Sequence, residues 1–576
     1  MGRMTWGKAA AAARLALVVG AGFTASQAVA QTAPLPGPAQ PGLLERRFEQ
    51  PELPKAGGGE IVTPEKEGAV APAGAEDATF VLKGVVIEGA TAFPESDFLP
   101  LYEKLLGTTV SVKTVYDIAQ AITTKYTAAG YVLSQAVVPP QKINGNGFAR
   151  IKVIEGYIDK VIIQGDIKGP RSLLEEYGDK IRASRPLKLD VLERYLLLAS
   201  DLPGATASGT LKPSDTISGA ADLVFEVTHK SVDAFASFDN RGSKYVGPWQ
   251  LATGANLNSI LGLYERTSLQ MATTPFNVGE LKYGRIAHEE TVGEEGTKIS
   301  ADAGYADSHP GWTLRPNALR SHSLTVGLGV SHPLIRSRAE NLTLRGRIEA
   351  KGSDTNQTND QVVSKDQLRI FRGGGSYDWV DTTLSTPAVS LLALELSQGF
   401  DAFGARTTGS PNLSRSTGHS DFFKATLDAT RTQSLYPGIS LMAGASAQWA
   451  ASSLLSSEEF AFGGAQFGRG YDPAELTGDH GLAGKLELQY AGPEVPVIKD
   501  WQLYGFYDIG RVWQSNPMSS ERRTDGGSST GLGVRANLNE SVSVTTELAK
   551  PLTHSVATRN TEPHDIRGFF GLVARY

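Results

Sequence analysis

The 576-residue chain contains no cysteine. A disulfide scaffold, a thiolate metal site and a cysteine nucleophile are therefore excluded. The absence also suits an oxidising compartment, where a stray thiol is a liability. Nine histidines are scattered through the chain. None forms a zincin pair, since His288-Glu289-Glu290 lacks the second histidine. Gly373-Gly374-Gly375 lacks the Lys-Ser/Thr of a phosphate loop. Gly444-Ala445-Ser446-Ala447 lacks the second glycine of a nucleophile elbow. There is no basic excess, the net charge being −6, so nucleic acid is a poor partner. Beyond the N-terminus no apolar run reaches the ~18 residues of a spanning helix. These residues predict no catalysis, no metal and no cofactor.

What is present begins with an address. Arg3, Lys8 and Arg14 precede the apolar run Leu15 to Phe23, and Ala28-Val29-Ala30 follows as a small-x-small site. This is the pattern of a secretory signal peptide over 1–30, cut after Ala30, with Ala28 and Ala30 as its recognition residues. Residues 31–77 are rich in Pro, Gly, Ala and charge, a linker composition. Within it Leu43, Leu44 and Phe48 have the spacing of one apolar face, which predicts a short helix over 43–50.

Residues 78–156 read as a small α/β module. Phe80 to Leu82 with Val85 to Ile87 make a strand, and 95–106 a helix. Val115, Ile118, Ala119, Ile122 and Tyr126 lie on one face of a second helix, ended by Gly130. Strands at 131–138 and 148–154 then flank Asn144-Gly145-Asn146-Gly147, a hairpin signal. Residues 157–229 repeat the order, with strands near 161–163, 207–212 and 222–228 and helices over 171–182 and 188–199.

From about 230 to 576 the helical period gives way to alternation. Leu532, Val534, Ala536 and Leu538 alternate with Gly533, Arg535 and Asn537. Val542, Val544, Thr546 and Leu548 alternate with Ser543, Thr545 and Glu547. About 16 strands can be counted, with connections alternately long and short, the asymmetry of an outer-membrane barrel. The longest, 451–480, runs to ~30 residues, a length that in a compact fold is usually functional. The fold class predicted is a transmembrane β-barrel of about 16 antiparallel strands, preceded by two periplasmic α/β modules.

Four motifs carry a resemblance. They are Asp239-Asn240-Arg241-Gly242-Ser243, Gly247-Pro248-Trp249-Gln250, Phe467-Gly468-Arg469-Gly470-Tyr471, and Gly505-Phe506-Tyr507-Asp508-Ile509-Gly510. In this order the chain resembles the two-partner secretion transporters of the haemolysin secretion/activation type, members of the POTRA-plus-barrel superfamily. Gly468 stands where the family form usually has valine. The resemblance implies POTRA modules at 78–156 and 157–229 and a pore that exports an unfolded exoprotein partner to the cell surface. It also implies a plug role for 43–50 and a functional loop motif at Gly468, Arg469, Gly470 and Tyr471. Strand alternation places Asp508, with Phe506, on the lumen face; the residues alone suit an exposed loop arginine and an ordinary lumen carboxylate, whereas the resemblance implies an infolded loop that pairs Arg469 with Asp508 beside Gly510. Barrel-assembly factors of the same superfamily, which typically carry more POTRA modules, and passive porins, which need none, are the competing readings. The expected setting is outer-membrane lipid, with the modules in the periplasm and the barrel a monomer.

Overall fold

The computed structural model describes residues 35–576 apart from 49–52, 56–60, 63–69, 143–146, 218, 497 and 559–563. The signal segment with Ala28 and Ala30, and the Asn144-Gly145-Asn146 part of the hairpin signal, lie outside the described residues.

The first module covers its amphipathic helix with a small sheet. Helix Val112–Ala128 buries Val115, Ile118, Ala119, Ile122 and Tyr126, the face expected from their spacing. Gly130 follows at φ 87°, a left-handed conformation that glycine tolerates without strain. Strand Phe148–Ile154 lies between Gly84–Glu88, parallel to it, and Gln135–Val137, antiparallel. Two expectations fail here. Residues 95–106 form three 3-10 turns, Glu95–Asp97, Leu99–Leu101 and Glu103–Leu105, instead of one helix. Pro100 has no N–H for an α-helical bond and disfavours helical geometry at Leu99. Residues 79–88 also do not form one strand, because Thr79–Val81 pairs separately with Thr109–Ser111.

The second module has helices Arg171–Ala183 and Leu189–Ser200. They pack on a sheet of Tyr157–Gly165, Ala220–His229 and Ala205–Pro213. A fourth strand, Ile61–Val62, comes from the supposed linker and runs parallel along Ala205–Pro213. The module is tied to the barrel's near turns. Arg194 Nη2 donates to Glu295 Oε2 at 2.8 Å, Tyr195 Oη to Glu295 Oε1 at 2.9 Å, and Arg336 Nε to Asp201 Oδ2 at 2.8 Å.

Sixteen strands, from Val232–Asp239 to Arg567–Arg575, close into an antiparallel barrel among the described residues. Closure pairs Phe235–Asp239 with Gly571–Arg575, and so leaves no sheet edge unpaired in the wall. On strand Leu319–Arg336 the side chains of Leu324, Val326, Leu328 and Val330 are exposed, while Ser321 and Ser323 are buried. The apolar face is therefore outward and the polar face lines a lumen. No described helix is long and apolar enough to cross a membrane. One expected long loop, between the seventh and eighth barrel strands, is only the turn 358–361. Its residues extend strands Glu340–Gln357 and Val362–Asp381, 18 and 20 residues long, well past the ~9–11 that span a bilayer.

Glu155, between the two modules, accepts from the N–H of Thr91 (2.7 Å), the N–H of Ala92 (2.8 Å) and Tyr126 Oη (2.7 Å). Burial pushes its carboxyl up, but these bonds outweigh burial and hold it below its ordinary value. Glu155→Ala strands the buried Tyr126 hydroxyl, a loss on the order of 1–3 kcal/mol. The protection of amides across 79–137, measured against their intrinsic exchange rates, should fall in the variant, and in the wild type as pH falls through the lowered carboxylate value, where the bonds to the charged form are lost.

Candidate functional site

Loop 451–479, between strands Ile439–Ala450 and His480–Ala491, is folded into the lumen. It contains a 3-10 turn, Ser456–Glu458, and a hairpin of Phe460–Phe462 with Leu476–Gly478. Gly468 has φ 74°, and a Cβ there would meet the Phe462 ring at 2.7 Å. Glycine thus meets a backbone and a packing requirement that the valine of the family form would not. A Cβ on Gly510 would lie 2.2 Å from the same ring, so Gly510 makes the hollow into which the hairpin fits.

Arg469 and Asp508 meet in the lumen. Asp508 is 0% and Arg469 4% exposed. The Arg469 N–H and Nε both donate to Asp508 Oδ2, at 2.9 and 3.0 Å, and Nη2 donates to Oδ1 at 2.8 Å. Such a fork on a carboxylate fixes direction as well as distance. The guanidinium also lies 3.6 Å from the Phe506 ring centroid, a stacking that adds to the pair. Tyr471 Oη donates to the Ser528 carbonyl at 2.7 Å, and Arg567 Nη1 donates to the Gly470 carbonyl at 2.9 Å.

Glu487, which sequence reasoning missed, is the second carboxylate on Arg469. It shares the inward face of its strand with Lys485 and Gln489, a period-2 signal that the sequence carries. Arg535 Nη1 also donates to Glu487 at 2.7 Å. The Arg469–Asp508 pair thus has further partners: the arginine sits between two carboxylates and a ring.

A second charged cluster lies at the Ser456–Glu458 turn. Buried Glu458 accepts from Arg372 Nη2 at 3.0 Å and pairs with Lys424 at 2.8 Å and Lys351 at 3.9 Å. Burial alone would raise its carboxyl, but Arg372, then Lys424, Lys351 and Arg46, hold it well below the usual range.

The described part of the 43–50 segment is in the same lumen. A one-turn helix, Pro41–Leu44, is continued by a 3-10 turn, Glu45–Phe48, and residues 49–50 lie outside the described residues. Glu45 accepts from Ser323 and, at 2.7 Å, from Thr325 Oγ1. Arg46 donates to the carbonyls of Ser457 (2.7 Å) and Glu459 (3.0 Å). Arg47 Nη2 reaches Asp239 at 3.1 Å, and Phe48 stacks on Tyr283 with centroids 4.8 Å apart. An isolated helix this short is not stable, so these wall contacts hold it. His288, Gly373 to Gly375 and Ser446 are ordinary strand residues of the barrel.

Residues 219–536 match the family model of the haemolysin secretion/activation protein ShlB/FhaC/HecB, and 80–156 that of the ShlB-type POTRA domain. The heme/hemopexin transporter protein HuxB of Haemophilus influenzae is 23% identical over 81% of each chain. The outer membrane transporter CdiB of Escherichia coli is 21% identical, over 85% of this chain and 82% of its own. Among solved structures, CdiB from Escherichia coli superposes with TM-score 0.69 at 20% identity, covering 89% of this chain and 93% of that one. CdiB from Acinetobacter baumannii gives 0.59 at 19% identity, covering 92% and 96%.

Arg469→Ala removes the side-chain bonds to Asp508 and Glu487 and the stacking on Phe506, whereas Asp508→Ala leaves Glu487 and Phe506 in place. Breaking a fully buried pair costs about 3–5 kcal/mol, and the wetter lumen lowers that figure. Proteolysis of loop 451–479 in the assembled barrel should be faster in Arg469→Ala than in Asp508→Ala. The double variant should match Arg469→Ala, because both changes break one interaction.

Burial and Asp472 push the Glu475 carboxyl up to about 7. Asp525 raises His554, beside the same loop. A carboxyl with a raised value stabilises the fold below its unfolded pKa, and that contribution disappears as pH rises through about 7. The raised His554 acts in the same direction. The protection of loop amides near 471–475 and 554–558, measured against their intrinsic exchange rates, should fall between pH 6 and pH 8. Glu475→Gln should remove much of that fall.

Proposed function

The chain belongs to the haemolysin secretion/activation protein family (ShlB/FhaC/HecB), and on that basis we propose how its parts divide the work of exporting an exoprotein partner across the outer membrane. It is a two-partner secretion transporter, with POTRA-type periplasmic modules in front of a 16-stranded barrel. Its family is one of transporters and not of enzymes.

The observation that carries the division of work is a lumen filled by two movable pieces of the chain itself. Residues 37–48 are the plug and loop 451–479 is the inner lid. Each is held by side-chain contacts to the wall and not by strand pairing, so each can leave without opening the barrel. Arg469, with Gly468, Gly470 and Tyr471, sets the lid on Asp508, Phe506 and Gly510. A barrel of this size, once cleared, gives an aqueous channel wide enough for an extended chain. The modules receive the unfolded partner along their sheet edges. In the second module one edge pairs with the extended segment Ile61–Val62 of the same chain, which supports the reading that such edges take an extended strand by β-augmentation. The outward apolar face seats the barrel in lipid, and closure within one chain lets it act as a monomer.

Deletion of 80–156 should leave a heat-modifiable barrel in the outer-membrane fraction and abolish release of the exoprotein partner into the medium. Arg469→Ala, with both modules intact, should reduce release sharply. Normal release by the deletion would refute the receptor role.

A further inference from the structure

Three loops meet at one arginine that takes no part in the Arg469–Asp508 contact. Arg415, in the loop between strands Ala388–Gly399 and Phe423–Tyr436, is 0% exposed. Its Nε donates to Glu521 Oε1 at 2.9 Å. Its Nη1 donates to the Leu454 carbonyl and to Asp479 Oδ1, both at 2.7 Å. Its Nη2 donates to Gln514 Oε1 at 2.8 Å and to Glu521 Oε2 at 3.1 Å. These bonds match the five N–H donors of a guanidinium. Their acceptors belong to loop 451–479 (Leu454, Asp479) and to the connection 514–523 (Gln514, Glu521). Leu413, Phe422, Leu454 and Leu455 pack beneath as a small apolar cluster.

The Ser456–Glu458 turn connects this node to the lumen. Glu458 faces Arg372, Lys424, Lys351 and Arg46. Its neighbour Glu459 points the other way, accepting from Gln514 Nε2 at 2.7 Å, 3.6 Å from Arg415. Arg46 holds the turn's main chain on both sides, at Ser457 and Glu459. When residues 37–48 leave, the turn loses these bonds and Glu458 loses one of its four cations.

We propose that Arg415 is the positioning residue of a surface latch joining loops 400–422, 451–479 and 514–523, and that the 456–459 turn couples it to the lumen segment, so that departure of that segment opens the latch. The coupling rests on the reading of 37–48 as a plug. The sign of the coupling follows from the contacts: a ligand-like segment that binds only the closed arrangement stabilises it.

The chain's lack of cysteine gives a clean test. Ser416 Oγ and Met518 Sδ lie 3.5 Å apart across two of the loops. In Ser416→Cys/Met518→Cys the two thiols are the only ones present. Copper-phenanthroline oxidation of the full-length double variant in outer-membrane vesicles should cross-link it rapidly. Deletion of 35–55, or Arg415→Gln, should slow cross-linking at least tenfold, in barrels that remain heat-modifiable. Failure of the full-length pair to cross-link, or equal rates in all three backgrounds, overturns the latch. Planar-bilayer conductance of the 35–55 deletion judges the plug reading separately. Raised conductance with an unchanged cross-linking rate keeps the plug and sinks the latch. Unchanged conductance refutes the plug, and with it the coupling, whatever the cross-linking rate.

Discussion

The fork of Arg469 on Asp508 is the contact on which the interior arrangement depends. It turns a surface loop through the barrel axis and holds it against the strand Asp500–Trp513. Once the loop is there, Phe462 fills the hollow at Gly510. The Ser456–Glu458 turn then faces the lumen cations, and the segment 37–48 gains a surface to lie on. Gly42 shows how close that fit is, since a Cβ there would meet Ser457 at 2.4 Å. Without the fork, Asp508 and Glu487 would both face inward with one cation fewer between them, and electrostatics would disfavour the packed interior.

The wall and the lumen content are held by different physics. The wall is a closed ladder of main-chain hydrogen bonds with an outward apolar face, cooperative and indifferent to most single side chains. The content is held by charge-assisted side-chain bonds in a confined, partly dry space, where each is strong but replaceable. A pore that must stay sealed and yet pass a polypeptide is served by this division. On the proposed reading, opening exchanges side-chain bonds for water without breaking a strand pair, with Arg46, Glu458 and Arg469 in the exchangeable set and strands such as Asp500–Trp513 in the permanent one.

The interior also explains two departures from simple sequence rules. Glycine at 468 is required because its backbone is left-handed and the Phe462 ring lies against it. The helix Pro41–Leu44 has no stability of its own, and its residues are apolar on one side because Leu44 packs with Tyr245, Val246 and Leu281 of the barrel. In the first case the local preference is settled by a ring of the same hairpin, and in the second by partners about two hundred residues away.

Alternation by two along the strands made the barrel legible, and with it the inward direction of Asp508 and Phe506, because side-chain direction on a strand is a local property. The amphipathic helix Val112–Ala128 was legible for the same reason, its period being set by the backbone. Long connections marked loop 451–479. Hidden from sequence were Glu487 as a second partner of Arg469, the strand Ile61–Val62 on the second module, and the meeting of Arg415 with Glu521 and Asp479. Each joins segments whose separation along the chain carries no period, so nothing local encodes the contact. The sequence by itself determined which face of each strand is wet and which is apolar. Only the closed barrel decided which wet side chains meet, because closure brings charges from distant strands into one space too narrow for them to remain unpaired.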